Sequence, residues 1–311
     1  MTMRYEWLSP LAVAAILLAC GGARAELRPS VSQYGITWTF DRPAECGRFI
    51  TGDWWVVGPV TVTAVTPAPG PADPGQKVEA PRNQFGDAAH QDDGRMRNGM
   101  MIVGEITHRQ GYDSRGQDYD AALSLSVPCR LEPGRSLIST ISHEALPNPS
   151  LTEKLIWPSE QKVRAVLKTA AILTCLGEAP PADAFRPSYA GTDRRLYRYG
   201  DLRWERLGRL KRPDGPVKPQ FPWQATPTWE EMERYFQRPW IDHSRNWIFC
   251  HVMPTENQAA YGREYARLVS LASVMLQLDE PQERKRKTLI GLVQLGIDLH
   301  GLVELGMRWT A

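Results

Sequence analysis

Ser159–Gly177, SEQKVRAVLKTAAILTCLG, is the stretch whose reading decides the fold. Val163, Val166, Leu167, Ala170 and Leu173 recur at mostly three- and four-residue spacing, the period of one helical face. Ser159 stands where an N-cap belongs, Glu160 favours the positive helix end, and Gly177 supplies a stop. The spacing therefore predicts a helix and a change of period after Pro147-Asn148-Pro149. The expected fold class is α+β with two domains, an antiparallel β-sandwich over 30–147 and an all-α domain over 151–311.

Upstream of that stretch the chain reads as strands. ITWTF, RFITG, WWVVGPVTVTAV, MMIVGEITH, AALSLSV and SLISTIS are β-branched or aromatic runs punctuated by Gly, Pro and Asp. Thr66–Gly94, rich in Pro, Gly and Asp, reads as a long exposed excursion. Trp54 and Trp55 are adjacent in a strand, so their side chains point to opposite faces. One packs in the core, and the other either joins it or offers a sugar-stacking platform. Gln110-Gly111-Tyr112-Asp113-Ser114-Arg115 reads as a loop in which Asp113 and Arg115 pair with each other or face a ligand.

Downstream, Thr192–Pro213 carries eight Arg and Lys against Asp193, Asp201 and Glu205. That density suits a solvated helical face or, alternatively, a polyanion-binding surface. Thr228 with Glu231 is a capping-box pattern opening a short helix through Phe236, closed by Pro239. Tyr261, Tyr265, Leu268, Val269, Ala272, Val274, Met275, Leu276 and Leu278 form the apolar stripe of a further helix, ended by Asp279 and Pro281. Thr288–Arg308 is apolar on most sides and reads as a buried helix, with Gln294, Asp298, His300 and Glu304 arguing against a membrane span. Gly291, Gly296, Gly301 and Gly306 recur in it every five residues and admit close packing. The chain stops at Trp309-Thr310-Ala311 with no capping or turn, which suggests a helical domain that is incomplete here.

Composition narrows the function. A formal charge of +2 over 311 residues gives no reason to expect nucleic acid as a partner. The first 25 residues carry Arg4, an apolar run from Leu11 to Cys20, and Ala23-Arg24-Ala25, the small-x-small rule of a cleaved export signal. Leu17-Leu18-Ala19-Cys20 also fits a lipobox, so the expectation is a secreted or periplasmic protein or, alternatively, a lipoprotein anchored through Cys20. Cys46, Cys129, Cys175 and Cys250 would then remain, either as two disulfides, with Cys46–Cys129 and Cys175–Cys250 favoured, or as buried thiols.

The chemistry-bearing residues gather in Arg238–Leu278, where Asp242, His243, Asn246, His251, Glu256, Asn257, Tyr261 and Arg263 run into the helix. Eliminative cleavage of a uronic acid needs a base, an acid, and groups that stabilise an enolate-like anion. Tyr261 with His251 or His243 could supply base and acid; Arg263 and Asn257 could neutralise the carboxylate. Trp54, Trp55, Asp242, Asn246 and Asp298 are the candidate substrate-binding residues. The plainer alternative makes Tyr261 part of the apolar stripe, Asn257 a cap and Arg263 a surface partner. His243 and His251 are eight apart without helical convergence, so neither a metal nor another cofactor is expected.

Asn257-Gln-Ala-Ala-Tyr261-Gly-Arg263, with the surrounding apolar helices and the export signal, resembles bacterial polysaccharide lyases with an (α/α) toroid. The chain is also similar to uncharacterised secreted bacterial proteins that join GDWWVVGPV and QGYDSR motifs to such helices. The resemblance implies a toroid-like domain over Leu151–Ala311, an acidic polysaccharide as substrate, and Asn257, His251 or His243, Tyr261 and Arg263 at the cleft. Two other functions stay open: a non-catalytic glycan-binding or cell-surface protein, and a glycoside hydrolase using two of Asp242, Glu256 and Asp298.

Overall fold

The structure, a computed structural model, describes residues 25–71, 94–144, 165–211, 227–244, 251–258 and 262–308. Its strands are β1 Glu26–Gln33, β2 Ile36–Arg48, β3 Trp54–Val57, β4 Val60–Thr66, β5 Met100–Met101, β6 Cys129–Leu131, β7 Ser136–Ser142 and β8 Leu167–Leu176. Its α-helices of eight residues or more are α1 Trp229–Phe236, α2 Gly262–Gln277 and α3 Gln282–Glu304. The strands form one curled sheet in the order β5-β7-β8-β3-β2-β4-β6, with β1 paired to β2.

This architecture corrects the expected fold class. Leu167–Leu176 is a central strand, antiparallel to β7 and parallel to β3, so the sheet is mixed and includes a segment expected to be helical. Nearly every residue of β8 is buried, on both faces. A strand covered on both faces reads as a continuous apolar run, which contains three- and four-residue spacings by default. Pairing on both edges then decides for strand, because β7 and β3 satisfy its backbone donors and acceptors. The expected Ser159 cap lies outside the described residues.

A toroid is likewise absent from the described residues, where three helices accompany the sheet. The first two form where the periodicity places them, whereas α3 starts at Gln282 rather than Thr288 and ends at Glu304 rather than Arg308. Glu231 N–H donates to Thr228 Oγ1 at 3.1 Å and Thr228 N–H to Glu231 Oε2 at 2.7 Å, completing the capping box. In α2, Leu268, Ala272, Met275 and Leu276 are buried, whereas Val274, counted in the apolar stripe, faces outward. The basic stretch is a loop with two short 3-10 turns, Tyr199–Asp201 and Trp204–Arg206, rather than a helical face. AALSLSV forms a 3-10 turn at Ala121–Leu123 rather than a strand.

Alternation along the strands sorts the core into layers. Trp38, Val56, Leu137 and Leu173 pack on one side of the sheet. Ile138 and Ile172 point to the other, against Tyr112, Tyr189 and Leu302. The helices meet over a third cluster around Trp229, Phe236, Trp240 and Met275. Two of the recurring glycines let α3 approach closely: a Cβ at Gly291 would stand 2.6 Å from Phe236 O, and one at Gly301 would strike Ser188 and Ala190. No helix among the described residues is long and apolar enough to cross a membrane.

The cysteines give a second correction. Cys46, Cys129 and Cys175 are free thiols, none at bonding distance from another described cysteine. Burial pushes the thiol of Cys46 up to about 11 and that of Cys175 up to about 12, which suppresses the reactive thiolate. Cys250 and the export leader lie outside the described residues.

Candidate functional site

The candidate site is a cleft of about 610 Å³ between the β2–β3 turn, the segment from α1 to Trp240, and α3. The sheet sets its floor. Asp53 immediately precedes β3, and Ile50 N–H donates to Ala184 O at 3.0 Å, which brings the chain after β8 alongside that turn. Arg186 therefore arrives beside Asp53, its Nε donating to Asp53 Oδ2 at 2.9 Å. From α3, Asp298 receives both remaining guanidinium nitrogens, at 3.0 Å from Nη1 and 2.6 Å from Nη2. Gln294, one helical turn earlier, exchanges two hydrogen bonds of 3.0 Å with the Arg186 backbone.

All three charged side chains are almost wholly buried. Burial alone would lower the Arg186 guanidinium, but Asp298 and Asp53 outweigh it and hold the residue above its ordinary value. The result is a charge network whose geometry is fixed from strand, loop and helix at once. Removing one member would strand a buried charge.

The walls carry further pairs. Arg238 is paired with Glu256, donates to Thr169 Oγ1 at 2.8 Å, and lies 4.4 Å from the Tyr34 ring centroid. Lys287 meets Glu233 at 3.4 Å. Phe236 and Trp240 stack with centroids 5.3 Å apart and close the apolar side.

The structure brings together only part of the expected site. Asn257 and Asp298 both line the cleft, beside Glu256. Asn257 is buried, and its Nδ2 donates to Tyr235 O at 3.3 Å and Arg238 O at 3.1 Å, so its donors hold the cleft wall in shape. Trp54 and Trp55 do point to opposite faces, yet both are buried. Trp54 donates to Ser32 O under the Arg48 guanidinium, and Trp55 packs over Gly47 against Phe49 and Ala184. Neither lines the cleft. Tyr261 and Asn246 lie outside the described residues, as does the side chain of Arg263.

His243 and Asp242 belong to a different, sealed region. His243 is fully buried, 3.2 Å from Tyr112 Oη through Nε2, while its Nδ1 has no hydrogen-bond partner. Burial lowers this imidazole to about 4, which keeps it neutral. Asp242 is buried with Oδ2 also unpartnered, and burial raises its carboxyl well above the usual range. The half-buried His251 accepts from Gln117 N–H at 3.4 Å through Nδ1. Above them, Asp113 and Arg115 of the QGYDSR motif pair structurally, at 3.0 and 2.8 Å, both fully buried.

Sequence reasoning missed Asp53, Arg186 and Lys287. Asp53 stands directly before the noted Trp pair, and Arg186 stands directly before Pro187 in a Pro- and Ala-rich segment; nothing local marks either as half of a long-range ion pair. No family model, curated protein or solved structure matches the chain.

Proposed function

We propose that this is an exported glycan-binding protein whose saccharide occupies the cleft between the β2–β3 turn, α1 and α3. The observation that supports it is the cleft itself: about 610 Å³, with polar side chains held in place by ion pairs beside the largely buried Phe236–Trp240 stack. That volume is typical of small-ligand sites, and a mixed lining of this kind suits a hydroxylated ring with one apolar face. Preorganised polar groups also lower the ordering cost of binding.

The test is affinity electrophoresis through gels containing soluble polysaccharides. Retardation of the wild type, lost in Gln237→Trp, supports the reading, because Gln237 is exposed and lines the cleft. Unretarded migration on every glycan, with the protein folded by circular dichroism, would overturn it.

One observation favours the second reading, β-elimination on a uronic-acid polysaccharide: Asn257, four residues before Tyr261, lines the same cleft as Arg238 and Glu256. Ultraviolet absorbance of an unsaturated sugar product, abolished by Tyr261→Phe, is the expected result of that chemistry. A flat trace on glucuronan, alginate and pectate would remove it.

A further inference from the structure

Five carboxylates line the cleft, Asp53, Glu230, Glu233, Glu256 and Asp298, against the four cations Arg186, Arg234, Arg238 and Lys287. Three of those cations are already committed: Arg186 to Asp53 and Asp298, Arg238 to Glu256, and Lys287 to Glu233. Among the described residues this leaves Arg234 and Glu230 without an ion pair, and they sit one turn apart on α1. Glu230 therefore offsets much of the field Arg234 offers a ligand.

We infer that the cleft selects a non-anionic saccharide, neutral or amino-substituted, and discriminates against uronates; this rests on the saccharide reading given above. An entering carboxylate finds three of the four cations occupied, and the fourth, Arg234, one turn from Glu230. To win Arg238 or Lys287 it must displace Glu256 or Glu233, which then stands unpaired beside the ligand as a like charge. A hydroxyl or ammonium meets the opposite situation, since the carboxylates accept hydrogen bonds without surrendering their partners. Arg186 is wholly enclosed and held by two carboxylates, so it is not available as an anion site.

The experiment compares retention of the full chain by a neutral β-glucan, a chitosan oligosaccharide and an oligoglucuronate at low salt. At least tenfold weaker retention by the uronate than by one of the other two is the expected result. Glu256→Gln and Glu233→Gln, which release Arg238 and Lys287, should each raise uronate retention several-fold and so shift the ratio of uronate to neutral-glycan retention toward the uronate. Uronate retained equally or more tightly by the wild type overturns this inference and leaves the saccharide reading standing. Unchanged uronate retention in both variants, with both folded, also overturns it. Failure to retain any of the three glycans would remove the saccharide reading and this inference with it.

Discussion

Two buried polar clusters in this protein solve the same problem in opposite ways. At the cleft floor, Arg186, Asp53 and Asp298 come from three separate parts of the chain and saturate one another's hydrogen bonds. Under the QGYDSR loop, Asp242 and His243 are neighbours in sequence and equally buried, yet Asp242 Oδ2 and His243 Nδ1 have no partner. In the first cluster Asp298 and Asp53 outweigh burial and hold the Arg186 guanidinium above its ordinary value. In the second, burial lowers the His243 imidazole and raises the Asp242 carboxyl, with no counter-charge to offset it. A buried charge is thus a fixed part of the scaffold in one place and a titratable weakness in the other.

Breaking the saturated cluster should have the largest effect. Asp298→Ala leaves Arg186 enclosed with half of its compensation gone, and is expected to cost about 3–5 kcal/mol in urea denaturation. Arg186→Met combined with Asp298→Leu and Asp53→Asn should recover much of that loss, since no charge is then stranded. A triple variant as unstable as the single would show that the network does more than neutralise its members.

The unsaturated cluster should announce itself through pH. The folded value of His243, about 4, lies below its ordinary 6.5. Its contribution is therefore fully present above pH 6.5 and is lost as pH falls through about 4, a change on the order of 3 kcal/mol. Equilibrium denaturation between pH 7 and 4 should show this acid limb, and His243→Gln should flatten it.

Asp242 has the opposite sign. Its raised folded value means stability is present below the unfolded carboxyl value and lost as pH rises through the folded one. Asp242→Asn should therefore be more stable than wild type at pH 8, by about 1–3 kcal/mol, the scale of an unsatisfied buried polar group. An unchanged pH 8 midpoint would show that the carboxyl finds a partner in solution.

At the cleft rim, Lys287→Ala removes a pair whose lysine is mostly exposed. It is expected to change stability by less than about 1 kcal/mol, an effect that 0.5 M salt should erase. A larger cost would mean that the rim, too, belongs to the fixed network.

Legibility in the sequence follows the range of the forces involved. Thr228 and Glu231 could be read as a capping box because both arms lie within one turn. The α2 stripe was visible for the same reason: helical spacing is local. The α3 glycines recur every five residues, off any one helical face, and of the four Gly291 and Gly301 meet close neighbours whereas Gly296 and Gly306 do not. Ser159–Gly177 misled because a strand buried on both faces loses the alternation that would identify it. Asn257 and Asp298 could be singled out by residue type, but their meeting in one cleft depends on contacts over forty residues away in sequence. His243 and Asp242 looked equally suitable and were instead sealed inside.

By itself, then, the sequence determined the helices after Pro227, the strand runs around Trp38, Val62 and Ile138, and the polar character of Arg238–Asn257. Each rests on interactions between residues a few positions apart. Only the tertiary structure decided that β8 enters the sheet between β3 and β7, and that Arg186 joins Asp53 to Asp298. Both outcomes depend on which distant surface supplies the missing hydrogen bonds and counter-charges, and local periodicity carries no record of that choice.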